Sequence, residues 1–124
     1  RREHNYIVGA SVGGLICFYA RTEYGQLFGG AGMFSAALHF NRDSVLRKAL
    51  RKEVPADARI YAVVGSGEKN EQVDFAEDNE QLFEILNGKG TPPDQFKLVV
   101  HADGEHKIWF WEREFPSAIE FLFR

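Results

Sequence analysis

The sequence predicts an α/β fold, a parallel sheet with flanking helices, and three observations carry that prediction. Four apolar runs with strand character alternate with helical patterns. The loop after each run carries polar or titratable residues. The first run also passes through a glycine-rich turn, Gly9-Ala10-Ser11-Val12-Gly13-Gly14, into a helix-compatible stretch. Parallel strands need crossovers, and a helix between each pair supplies one.

The first strand is read at Tyr6–Ala10, followed by a helix over Gly13–Tyr24. The second strand is read at Phe28–Phe34. The next helix spans Arg42–Glu53, with Asp43 or Ser44 as its cap and Val45, Leu46, Ala49 and Leu50 on one face. A third strand at Arg59–Val64 leads to a helix over Asp78–Asn87 that stops at Gly88. The fourth strand is Phe96–His101. A final helix begins at Trp111 or Pro116 and ends at Phe123, with Phe115, Ile119 and Leu122 spaced to dock on the sheet. No repeat, linker or low-complexity segment divides the chain, so residues 1–124 are read as belonging to one domain.

Composition narrows the function. A chain of 124 residues that is 44% hydrophobic and 14% aromatic builds a core, which argues against disorder. Lysine and arginine total 15 against 18 acidic residues, and no basic stripe with interleaved aromatics occurs, so nucleic acid is not expected as a partner. Cys17 is the only cysteine; it excludes an intramolecular disulfide and is read as a buried structural thiol. No apolar run is long enough to span a membrane and no basic-then-apolar leader is present, so no membrane partner is expected. The chain opens at Arg1-Arg2 and its only methionine is Met33, so the natural start is expected elsewhere, with any targeting signal; cytoplasm is the favoured compartment. No histidine and carboxylate cluster recurs at ligand spacing, the turn at Gly9 lacks a G-K-[ST] ending, and G-x-G-x-x-G is absent. Neither a metal nor another cofactor is expected.

Loops at the carboxyl ends of parallel strands open on one edge of the sheet, and sites form there. Those loops are residues 9–13, 35–41, 65–74 and 102–107. Strand, G-x-S-x-G, helix is the pattern of a nucleophile elbow, which makes Ser11 the candidate nucleophile. The N–H of Val12, at the start of the following helix, faces a developing oxyanion. Serine-dependent acyl transfer needs a histidine base and a carboxylate to orient it, in the chain order serine, acid, histidine. Of His4, His39, His101 and His106, the last two follow the final strand. His101 is read as the packed strand end and His106, past a glycine turn, as the base. Glu68, Glu71 and Asp74 share one polar loop, and Glu68 is favoured as the acid because it lies nearest the strand end. Asp74, Glu71 and a dyad without an acid stay open. Ser35, Leu38 and His39 are expected at the rim of the substrate pocket.

The chain resembles the carboxyl-terminal half of the Putative esterase family of α/β-hydrolases, the group related to esterase D, enterochelin esterase and feruloyl-type carbohydrate esterases. The resemblance rests on Ile7-Val8-Gly9-Ala10-Ser11-Val12-Gly13-Gly14-Leu15, on residues 28–35, and on Arg59-Ile60-Tyr61 through Gly65 to Glu68. It extends to Gly104-Glu105-His106 five residues before Trp111, to Phe115-Pro116 and to Phe121-Leu122-Phe123. It implies carboxylic esters as substrates, Ser11 as nucleophile, Glu68 as acid, His106 as base and Val12 as one oxyanion-hole amide. Val12, His39 and the pair Lys107-Ile108 depart from what is usual in that family.

The same resemblance implies that further strands, and the loop giving a second oxyanion amide, precede Arg1. The first strand would then have a free apolar edge, so a missing N-terminal half or a second copy of the chain is the expected partner beside the small-molecule ester. The leading reading is a serine ester hydrolase, or the part of one that bears the nucleophile. The alternative is a non-catalytic α/β-hydrolase-like module used for association.

Overall fold

The computed structural model describes residues 4–51, 53–54, 57–88, 91–92 and 94–123. Strands β1 (Tyr6–Ala10), β2 (Gly30–Phe34), β3 (Arg59–Gly65) and β4 (Phe96–His101) alternate with helices α1 (Val12–Glu23), α2 (Arg42–Leu50), α3 (Phe75–Leu86) and α4 (Ile108–Leu122). The strands form one parallel sheet in the order β1-β2-β3-β4. Register pairs Ala10 with Phe34, Phe34 with Val63 and Gly65 with His101, so the four carboxyl ends finish close together.

The period-two alternation of the strands sorts the core into two layers. Ala31, Met33, Ile60 and Ala62 face Phe18 of α1, Val45 of α2 and Leu82 of α3. Phe34, Tyr61 and Val63 face the opposite way, onto Phe110, Ala118, Phe121 and Leu122 of α4. Three crossover helices therefore cover one face and the terminal helix covers the other. Full burial of each large apolar side chain contributes roughly 1.5–3 kcal/mol. Cys17 is buried in the first layer, and desolvation pushes its thiol up to about 11.

The structure moves several boundaries. Strand β2 starts at Gly30 rather than Phe28. Helix α2 ends at Leu50, which is exposed, while Val45 and Ala49 are buried and Leu46 packs in part against the core. Asp43 and Ser44 lie inside α2 because a 3-10 turn at Leu38–Asn41 leads straight into it; Lys52 of the longer helix expected there is outside the described residues. Helix α3 starts at Phe75, ahead of Asp78, because the Asp74 carboxylate accepts the N–H of Glu77 at 3.0 Å and caps it.

Helix α4 departs most. It starts at Ile108 and runs through Pro116, although a proline inside a helix removes one backbone hydrogen bond. Its buried stripe, Phe110, Glu114, Ala118, Phe121 and Leu122, extends on both sides of the proline and offsets that loss. Phe115 lies off the stripe: it is exposed and stacks on Phe34, with ring centroids 6.2 Å apart.

Candidate active site

The sharp turn from β1 into α1 fixes Ser11. Its backbone sits at φ 58, a left-handed conformation that costs a non-glycine residue on the order of 1–3 kcal/mol. Backbone bonds hold it there: Ser11 N–H donates to Phe34 O at 2.9 Å, and Ser11 O accepts from Gly14 and Ala37, both at 3.0 Å, and from Leu15 at 3.4 Å. A Cβ at Gly9 would stand 2.6 Å from the carbonyl oxygen of Gly13, so the strand end has no room for a side chain. At Gly13 a Cβ would meet nothing within 4 Å. The first glycine of G-x-S-x-G is thus required by packing and the second is not. Ser11 flanks α1 in the N-cap position, yet its side chain makes no capping bond.

The Ser11 hydroxyl oxygen lies 2.8 Å from His106 Nε2 instead. On the other side of the ring, Nδ1 lies 2.8 Å from Glu68 Oε1. Phe75 and Trp111 flank the imidazole, with centroids 4.9 and 5.2 Å away. The Glu68 side chain is 2% exposed, and its second oxygen accepts the Gly65 N–H at 2.6 Å and the Ser35 hydroxyl at 2.9 Å. A buried carboxylate is tolerable when its oxygens are bonded in this way.

Backbone contact sets the separation of the two loops that carry Glu68 and His106. A Cβ at Gly65 would fall 2.1 Å from Gly104 O, and one at Gly104 would fall 2.6 Å from the Phe110 ring. Because both residues are glycine, the loop after β4 lies directly on the end of β3, and His106 follows two residues later.

Of the residues singled out in the sequence, Ser11, Glu68 and His106 form one hydrogen-bonded row. Val12 opens α1, where the first backbone N–H groups have no intrahelical acceptor, and no acidic side chain occupies that turn. Ser35 and Leu38 correct the expectation of a pocket rim: they are 0% and 1% exposed, Ser35 against Glu68 and Leu38 in the core. His39 is half-buried, 5.3 Å from Phe75, which stands between it and His106. Asp74 caps α3 and Glu71 is exposed. His101 ends β4 and lies 2.8 Å from the buried Glu114, away from the row.

Sequence reasoning read Trp111 as a candidate start of the last helix and missed both its bond to Ser35 and the burial of that serine. The indole N–H donates to Ser35 Oγ at 2.9 Å. An apolar cleft of about 360 Å³ opens beside Trp111, bounded by Val8 and Ala10 of β1 and by Ile108 and Phe115 of α4. Among the described residues, no group of three or more histidines, cysteines and carboxylates is placed to hold a metal ion, and no helix is long and apolar enough to cross a membrane.

A parallel sheet with a strained serine between strand and helix defines an α/β-hydrolase type of fold. Residues 1–122 match the family described as Putative esterase, and the chain belongs to that family. It is 28% identical over 123 residues to the Uncharacterized protein YbbA of Bacillus subtilis (strain 168), a match covering 94% of this chain and 48% of the relative. Among solved structures, an enterochelin esterase from Shigella flexneri aligns with all of this chain and 32% of its own, at a TM-score of 0.81 and 21% identity. A ferric enterobactin esterase from Salmonella typhimurium gives 0.78 at 20% identity, covering 98% of this chain and 30% of that one. A ferulic acid esterase gives 0.79 at 16% identity, over 99% and 52%. At these identities the solved structures share the fold. The chain spans about half the length of its Bacillus relative and about a third of the enterobactin esterases.

Proposed function

We propose that this chain carries the nucleophile, base and acid of a serine hydrolase acting on small carboxylic esters. Membership of an esterase family supports ester hydrolysis as the general chemistry. The observation that carries the serine mechanism is the continuous row from Ser11 Oγ through both nitrogens of His106 to Glu68, with 2.8 Å at each step.

Ser11 Oγ attacks the ester carbonyl carbon while its proton passes to His106 Nε2. Glu68 accepts the Nδ1–H bond, which fixes the tautomer that leaves Nε2 free as a base and stabilises the imidazolium. The carbonyl oxygen, now negative, faces the Val12 N–H at the positive end of α1. Collapse breaks the bond to the alcohol oxygen, which takes the proton from His106. Water then attacks the acyl-serine with the same histidine as base, releasing the carboxylic acid and restoring Ser11. No cofactor enters this sequence.

A fluorophosphonate probe tests the proposal, because it forms a covalent bond only with an activated serine. Labelling at Ser11 in the wild-type protein, absent in Ser11→Ala and abolished by prior heat denaturation, is the expected result. A folded protein that leaves Ser11 unlabelled overturns the mechanism and favours a non-catalytic module.

A further inference from the structure

We propose that Ser35 and Trp111 are positioning residues that act through Glu68 to hold His106 in line with Ser11. The inference rests on the reading of Ser11, His106 and Glu68 given above. An indole nitrogen only donates, whereas a hydroxyl both donates and accepts. The Trp111 N–H therefore fills an acceptor site on Ser35 Oγ, and the Ser35 proton is directed to Glu68 Oε2. The order Trp111 to Ser35 to Glu68 has one possible polarity.

Ser35 is built into its place. It is fully buried, its N–H donates to Val63 O at 2.8 Å, and its φ of 47 is the second positive value at a non-glycine residue described here. A serine held in such a conformation, with its hydroxyl on a buried carboxylate, is more than filler for a strand end. Two donors, Ser35 and the Gly65 amide, occupy Oε2 and leave Oε1 to His106. They also draw carboxylate charge away from the imidazole. Trp111 adds a second constraint, because its ring meets the His106 ring edge-on, at an interplanar angle of 86°.

Other groups face His106 from each side. Lys69 from the β3–α3 loop, and Asp103, Glu105 and Lys107 from its own loop, line the cleft in front of it. Phe75 covers it from α3, with His39 beyond, and Ser11 faces it from α1. Ser35→Ala and Trp111→Phe leave all of these unchanged, and the second also keeps an aromatic ring beside the imidazole.

Removing the Ser35 donor leaves Glu68 Oε2 with the Gly65 amide alone, so the carboxylate is held less firmly against His106 Nδ1. Ser35→Ala should slow fluorophosphonate labelling of Ser11, and lower kcat on a p-nitrophenyl ester, by about tenfold or more at neutral pH with little change in KM. Trp111→Phe should move both readouts in the same direction by a smaller factor, since the Ser35 hydroxyl still donates to Glu68 but loses the donor that fixes and polarises it. Circular dichroism and a thermal melt establish that each variant is folded; if Ser35→Ala does not fold, Trp111→Phe decides alone. Folded variants that label at the wild-type rate with an unchanged kcat overturn the positioning role while the reading of Ser11 stands. A wild-type protein that does not label at Ser11 overturns that reading itself, and the positioning role with it.

Discussion

Two strand-to-helix turns in this molecule use their capping residues in opposite ways. At the start of α3, Asp74 turns its carboxylate back onto the helix, and Glu77 and Asp78 follow in the first turn. Both features suit the positive end of a helix dipole. At the start of α1, Ser11 holds a left-handed backbone, makes no capping bond, aims its hydroxyl at His106, and is followed by a first turn with no acid. The ordinary turn uses its polar side chain for local stability. The other leaves the helix end uncapped and places the hydroxyl against an imidazole, the placement on which the proposed nucleophile role rests. The comparison also accounts for which carboxylate faces His106: Asp74 is occupied by its own helix, whereas Glu68 sits where β3 ends.

The sharpest way to break this contrast is His106→Ala. In the purified protein it should lower ester turnover by several orders of magnitude with little change in the thermal melt, because members of such a row act as a unit. Turnover retained at the wild-type level would remove histidine from the mechanism. Next in size is the pair Gly9→Ala and Gly13→Ala. The first should cost about 2–3 kcal/mol in chemical denaturation, since its Cβ would meet the Gly13 carbonyl oxygen at 2.6 Å. The second should be neutral or stabilise by about 0.5 kcal/mol, since alanine favours a helix over glycine and the space is open. Equal costs at the two positions would contradict the packing described for the turn. The smallest effect is expected from Asp74→Ala, about 1 kcal/mol of stability from the lost cap, with fluorophosphonate labelling of Ser11 unchanged. A collapse of labelling in that variant, with the fold intact, would transfer the role of acid from Glu68 to Asp74.

The alternation of strands and helices was legible in the sequence because apolar periodicity and glycine punctuation agree along most of the chain. That Ser11, Glu68 and His106 belong to loops on one sheet edge follows from parallel topology alone. Boundaries failed where tertiary burial overrode local signals. Pro116 reads as a start or a stop, yet the apolar stripe of α4 carries the helix through it. Phe115 reads as core by its type, yet it lies one position off the buried face. Ser35 and Leu38 were placed on a rim by their loop position, and the structure buries both. The bond between Trp111 and Ser35 joins residues 76 apart in the chain and depends on where α4 begins. Nothing in the uncapped sequence before Ile108 signals that start.

The crossing of Gly65 and Gly104 bears on how this chain can vary through descent. The distance between the loops carrying Glu68 and His106 is written in main-chain atoms, so it is indifferent to the surface side chains around it. Two charged side chains of the His106 loop are tied elsewhere, Asp103 to Arg113 and Glu105 to the Trp109 indole, and do not set the distance. Length is another matter: one residue separates Gly104 from His106, and an insertion there would carry the ring away from Ser11 and Glu68 together. The segment from Lys69 to Asp74, closed on itself by pairing between its two ends, is where added residues can accumulate at least cost.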